Sequence, residues 1–191
     1  MMPNDTVYVG IDPGLTCTTI VMLQDAQLLP HFPKTIEHTN GLMIDRLKAY
    51  RANLQDTVLD SAAIYDVVVC IEKPGYNLRG ASANLIALYW YLLEGVINGV
   101  GKEDGSHNNP IYVAAPNSLK KFATSKGNAA KSVIGQAVER KWGDVLPDRL
   151  FNDNEIDAFV LAKMAECATT PSDDQWTEYQ RESIQKVERY V

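Results

Sequence analysis

Apolar residues dominate Thr6 to Ile11 and stop at Asp12-Pro13-Gly14, which reads as a strand followed by a turn. A second strand, rich in threonine, isoleucine and valine, spans Cys17 to Leu23. Gln24 to Gln27 then turns the chain into a third strand at about Leu28 to Phe32. Connections this short predict an antiparallel meander. Asn40 can cap a helix reaching about Ser61, whose apolar positions, among them Leu42, Leu47, Leu54 and Val58, fall near one face. Tyr65 to Glu72 follows as an almost unbroken apolar run, the pattern of a strand covered on both faces, and Pro74-Gly75 ends it.

The next helix spans about Ala81 to Gly99, and its middle, Leu85 to Leu93, is apolar all the way round. Such a helix needs cover on two sides, which a sheet and a partner subunit together supply. After the polar loop Gly101 to Asn109 comes a fifth strand, Ile111 to Ala114, then short helices at about Asn117 to Phe122 and Ala129 to Trp142. A core helix runs from about Asp153 to Ala168, and Thr169 to Ser172 breaks it. A strand–helix–strand crossover implies parallel pairing. The predicted architecture is therefore α/β: a mixed five-stranded sheet, three antiparallel strands plus parallel ones, flanked by helices. Residues 1–170 are read as one domain and 171–191 as a polar C-terminal helical tail.

With 191 residues, 46% of them hydrophobic, the chain suits one domain with a real core. No segment approaches the roughly 18 consecutive apolar residues of a membrane span. Met1 to Gly10 lacks a basic region followed by an apolar run, so the expected location is the cytoplasm. Cys17, Cys70 and Cys167 lie in apolar segments without a CxxC partner and read as reduced, buried thiols. The scattered His31, His38 and His107 argue against zinc. A net charge of −6 runs against a nucleic-acid partner until its distribution is considered. Lys120, Lys121, Lys126, Lys131, Arg140 and Lys141 form a basic stretch opposed only by Glu139, and affinity depends on where charge sits.

The acids carry the chemistry. Asp12 ends the first strand and Glu72 the fourth; parallel neighbours would bring both to the sheet edge where α/β folds place their ligands. A turn explains Asp12 equally well on its own. Glu72, ending the most apolar strand, needs a partner, a metal or water. Asn152-Asp153-Asn154-Glu155-Ile156-Asp157 opens an otherwise apolar helix. At about 100° per residue, Asp153 lies about 40° from Asp157 around the axis, Asn154 about 60° on the other side, and Glu155 about 160° away. Asn152 with Glu155 fits a capping box, which makes Glu155 structural and Asp157 the functional member. Clustered acids repel unless a cation sits among them. Oxygen donors without histidine or cysteine favour Mg²⁺ or Mn²⁺, and two such ions about 4 Å apart suit phosphodiester hydrolysis.

These residues, in this order, resemble the RuvC family of Holliday junction resolvases. The carriers are Gly10-Ile11-Asp12-Pro13-Gly14, Ile71-Glu72, the segment Pro116 to Phe122 with Lys126-Gly127-Asn128-Ala129-Ala130-Lys131, and Asp157-Ala158. The resemblance covers about residues 6 to 168, and the phage-encoded branch looks closest. It implies an RNase H-like fold, a homodimer, and paired nicks in a four-way DNA junction with two metal ions per active site. It maps Asp12, Glu72 and Asp157 onto metal-binding acids, Lys131 onto a lysine near the scissile phosphate, and Lys120 onto a DNA-contacting lysine; Lys126 joins them as a DNA-binding candidate. Ungapped register puts Asn154 at the fourth ligand position, whereas charge favours Asp153. The aromatic residue expected after the glutamate falls on Gly75, with Tyr76 adjacent as a stacking candidate.

Three rival readings are open to the sequence. An actin-like kinase or ATPase shares the strand–Asp–Gly–hairpin opening, but a second phosphate loop and an adenosine-binding Gly-Gly region are missing from the sequence. A catalytically dead module would not need Asp12, Glu72 and Asp157. A nuclease for flaps, forks or three-way branches fits the same residues.

Overall fold

The computed structural model describes residues 6–37, 47–48, 51–54, 56–57, 65–75, 83–100, 109–172 and 174–190. Its strands are β1 (Thr6–Pro13), β2 (Cys17–Gln24), β3 (Gln27–Leu28), β4 (Lys34–Glu37), β5 (Asp66–Glu72), β6 (Ile111–Ala114) and β7 (Glu188–Arg189). They form one sheet in the order β3-β2-β1-β5-β6-β7, with β4 also paired to β2. β1 and β2 are antiparallel, while β1, β5 and β6 run parallel. The expected mixed α/β architecture is present. Its helices are α1 (Ala83–Val100), α2 (Pro116–Thr124), α3 (Lys131–Trp142), α4 (Asp153–Thr169) and α5 (Glu178–Ile184). Residues 47–48, 51–54 and 56–57 are helical too, within the helix expected after Asn40; Asn40 and Ser61 lie outside the described residues.

The sheet has seven strands rather than five, for two reasons. Asp25 and Ala26 take left-handed conformations and turn β2 into β3, but the pairing stops at Leu28 instead of reaching Phe32. Pro30 and Pro33 have no N–H for a ladder, and His31 between them is left-handed. Lys34 to Glu37 then returns to β2 as β4. At the other edge, 171–190 is not a plain helical tail. Its helix is confined to Glu178–Ile184, and β7 pairs antiparallel with β6. A two-residue strand carries no periodicity to read.

Side chains alternate across the sheet and feed two cores. Val7, Val9 and Ile11 of β1 join Val67, Val69 and Ile71 of β5 under α1, which contributes Leu88, Tyr89, Leu92, Leu93 and Val96. On the opposite face Tyr8, Val68 and Cys70 meet α2, α3 and α4, with Phe122, Trp142 and Phe159 in edge or stacked contact. The sheet covers only one side of α1: Trp90 remains 48% exposed. No helix among the described residues is long and apolar enough to cross a membrane.

One backbone approach sets the depth of α4. A Cβ at Gly10 would collide with the Ala158 carbonyl oxygen and the Ala162 amide nitrogen, so only glycine lets α4 lie this close to β1. Gly10→Ala must push against backbone, which cannot swing aside. It is expected to lower unfolding free energy by on the order of 3 kcal/mol in urea titration; a loss under about 0.5 kcal/mol would show that α4 does not rest on this glycine.

Candidate active site

Parallel register brings the first two acids together. Ile11 pairs with Ile71, so Asp12 and Glu72 follow side by side at the ends of their strands. By alternation both point to the α4 face, Asp12 with Tyr8, Glu72 with Val68 and Cys70. The close approach at Gly10 brings Asp157, the residue before Ala158, over the same spot.

The start of α4 is fixed from outside the cluster. Asn152 accepts a hydrogen bond from the Glu155 amide (3.0 Å), and Glu155 accepts one from the Asn152 amide (2.9 Å). Arg149 donates two more to Glu155, at 2.9 and 2.7 Å. Burial alone would raise the Glu155 carboxyl, but Arg149 and the Asn152 amide hold it below the usual carboxylate range. The capping box expected from the sequence is present, and Glu155 anchors the helix. Arg149 went unnoticed in the sequence: an arginine in a loop, pairing six residues ahead, follows no helical or strand spacing.

The remaining acids feel one another. Asp12 is buried, and desolvation raises its pKa, opposed by a hydrogen bond with Glu72 and by the charge of Lys131. Glu72 is raised well above its ordinary value, first by desolvation, then by the charges of Asp12 and Asp157 and by donating that hydrogen bond; Lys120 opposes the rise. Asp157 is pushed up to about 6 by desolvation and Asp12, with Asp153 adding to the effect and Lys131 and Lys120 opposing it. Asp12, Glu72 and Asp157 thus form one electrostatic unit, with Asp153, Lys120 and Lys131 around it.

Asp153 is exposed and ion-paired with Lys131 at 3.4 Å. Asn154 is half-buried and donates from Nδ2 to the Cys17 sulfur at 3.3 Å, a contact that sequence spacing gave no hint of. Lys126 is exposed on the turn between α2 and α3, whereas Lys120 is half-buried. Tyr76 lies outside the described residues.

The donor set is carboxylate oxygen, which fits a hard divalent cation such as Mg²⁺ or Mn²⁺. Among the described residues no three such side chains converge closely enough to form a ready metal cage. Instead Glu72 and Asp12 are hydrogen-bonded to each other. The fit lies in the chemistry of the cluster: buried acids that bind protons too tightly are relieved by any cation placed among them.

No family profile and no curated protein matches the chain. Two solved structures resemble it closely in shape. RuvC of Thermus thermophilus superimposes with a TM-score of 0.63 at 18% identity, covering 86% of this chain and 96% of that one. The same protein in complex with a Holliday junction substrate gives 0.61 at 19% identity, covering 82% and 90%. The chain has the RuvC fold. The RNase H-like architecture expected from the sequence is therefore present, whereas a phage-encoded branch gains no support from these likenesses. On this fold Asp12 and Glu72 end adjacent parallel strands, and Asp157 of α4 lies within their electrostatic reach.

The raised pKa of Asp157 has a stability consequence. The folded state holds this proton more tightly than the unfolded state, so stability falls as pH rises from about 4 through about 6. Asp157→Asn should therefore raise unfolding free energy at pH 7.5 in EDTA by on the order of 1–3 kcal/mol, and the gain should vanish below about pH 4. Denaturant titration at both pH values checks this; a variant less stable than the parent at pH 7.5 would contradict it.

Proposed function

We propose that the chain is a divalent-metal-dependent endonuclease that nicks branched DNA and resolves four-way junctions by phosphodiester hydrolysis. The observation that carries this reading is the electrostatic unit of Asp12, Glu72 and Asp157, flanked by Lys120 and Lys131, at the strand ends of a RuvC fold. The junction complex of Thermus thermophilus RuvC supports branched DNA as the substrate class. Asp12, Glu72, Asp157 and Asp153 would hold two Mg²⁺ or Mn²⁺ ions. When bound, such ions activate water and stabilise the charge that develops on a phosphodiester.

The protein's own groups set the rest. Of the cluster's acids Asp12 is the least exposed, and it accepts from Glu72, so it is the fixed point of the cluster. Lys131 lies within the field of Asp12 and Asp157 at the exposed start of α3, where its ammonium can meet a phosphate oxygen. Lys120 acts on Glu72 and Asp157 from α2 and serves the same anionic strand. Lys126 extends the basic rim, and Tyr76 is kept as a stacking candidate at the junction centre. Asp153 is favoured as the fourth acid because its charge already acts on Asp157, whereas Asn154 is engaged with Cys17.

Paired nicks in a symmetric junction need two equivalent sites, and a homodimer supplies them. The exposed side of α1, carrying Trp90, is the face proposed for that contact.

Asp12→Asn or Glu72→Gln should abolish cleavage of a four-way junction while leaving binding largely intact, because affinity comes from phosphate contacts. Asp153→Asn should reduce turnover by about a hundredfold and Asn154→Ala only mildly, the scale of one lost charge contact in the transition state. Gel-based cleavage and binding assays read both. Cutting by the wild type in EDTA would sink the metal mechanism, and a reversal of the last pair would move the fourth ligand to Asn154.

A further inference from the structure

The C-terminal segment is the largest feature that the nuclease reading leaves unused. Trp176 is 2% exposed and packs against Phe122 of α2, with ring centroids 5.9 Å apart. Its indole N–H donates to Thr170 at 3.3 Å. Gln180 is fully buried and accepts from Lys141 of α3. β7 then extends the sheet beyond β6, Glu188 opposite Val113, and the Tyr190 amide donates to the Ile111 carbonyl at 2.8 Å. The segment therefore touches α2 and α3, which carry Lys120 and Lys131, and pairs with β6, the neighbour of the strand that ends at Glu72.

Two ion pairs fall beside site residues. Glu182 of α5 binds Lys121 at 2.6 Å, and Lys121 follows Lys120. Glu188 of β7 binds Lys73, and Lys73 follows Glu72. Lys120 and Lys121 stand about 100° apart around α2. Buried Leu119, Phe122 and Ala123 set the rotation of this nine-residue helix, and the Lys121–Glu182 pair adds a restraint on its exposed side, next to Lys120, whose charge acts on Glu72 and Asp157. At the other pair the Lys73 amide already donates to the Ala114 carbonyl at 2.9 Å. Glu188 adds a side-chain tether, so the turn after β5 is held by backbone and side chain together.

We propose that Glu182 and Glu188 are positioning residues: through Lys121 and Lys73 they orient Lys120 and the end of β5 around the acid cluster. The inference rests on the nuclease reading for its catalytic consequence but not for its structural one. Trp176, Gln180 and Ser183 are buried and fasten the segment, whereas the two glutamates are half-exposed. The glutamates can therefore be neutralised without unfolding the protein.

The test uses the full chain with Glu182→Gln and Glu188→Gln combined. Three quantities are read: the single-turnover cutting rate on a four-way junction at saturating protein with Mg²⁺, junction affinity in Ca²⁺, and amide hydrogen exchange in α2. The expected result is a cutting rate about tenfold lower, affinity within about twofold, and exchange about fivefold faster in α2. Reversing each pair, with Lys121→Glu plus Glu182→Lys and Lys73→Glu plus Glu188→Lys, should restore the slowed exchange and most of the rate. Unchanged rate and exchange overturn the proposal. So does tighter binding with faster cutting, which would make the glutamates competitors of DNA phosphate. If the wild type cuts no branched DNA, the nuclease reading fails by itself, and hydrogen exchange alone decides whether these glutamates position α2.

Discussion

Where β1, β5 and α4 come together, Asp12, Glu72 and Asp157 are largely withdrawn from solvent and lie within reach of one another's charge. Electrostatics alone would disfavour this arrangement, since each carboxylate raises the proton affinity of its neighbours. It persists because surrounding structure enforces it. Parallel register sets Asp12 beside Glu72, the bare backbone of Gly10 admits α4, and the Asn152–Glu155–Arg149 network fixes where that helix begins. Lys120 and Lys131 offset part of the repulsion, and the hydrogen bond between Glu72 and Asp12 offsets part as well. Mutually repelling acids are relieved by a cation placed among them, and the proposed metal dependence rests on that physical argument.

Charge distribution follows from the same point. A chain of net charge −6 is an unpromising partner for DNA, yet part of that charge, on Asp12, Glu72, Asp153 and Asp157, lies where cations would offset it. Lysines of α2 and α3 stand at the rim of that cluster. Further acids, Glu182 and Glu188, are occupied by Lys121 and Lys73. Local arrangement rather than the total then governs what the surface attracts.

The central strands were legible because burial leaves an unmistakable apolar signature. Val67 to Ile71 has the pattern of a strand covered on both faces, as it proves to be, and Glu72 drew notice by ending that run, whereas Asp12 alone could have been a turn residue. Helical geometry separated Asp157 from Glu155, and the capping box explained the latter. What escaped was set by contacts between distant parts of the chain. The early end of β3 depends on two prolines and a left-handed His31, and the return of β4 depends on the free edge of β2. The C-terminal segment looked merely polar because its anchors, Trp176, Gln180 and Ser183, are scattered singly among solvated residues. Pairings such as Asn154 with Cys17, or Glu188 with Lys73, have no local spacing at all.

The central claim is that this fold, with this cluster, cuts branched DNA. The most direct measurement is cleavage of matched four-way, three-way, flap and linear DNAs of common sequence, with Mg²⁺ or Mn²⁺ and the full chain. The account predicts paired nicks near the centre of the four-way junction and little cutting of linear duplex. Flap or three-way DNA cut in preference would move the substrate to another branch, and no cutting of any of the four would contradict the account.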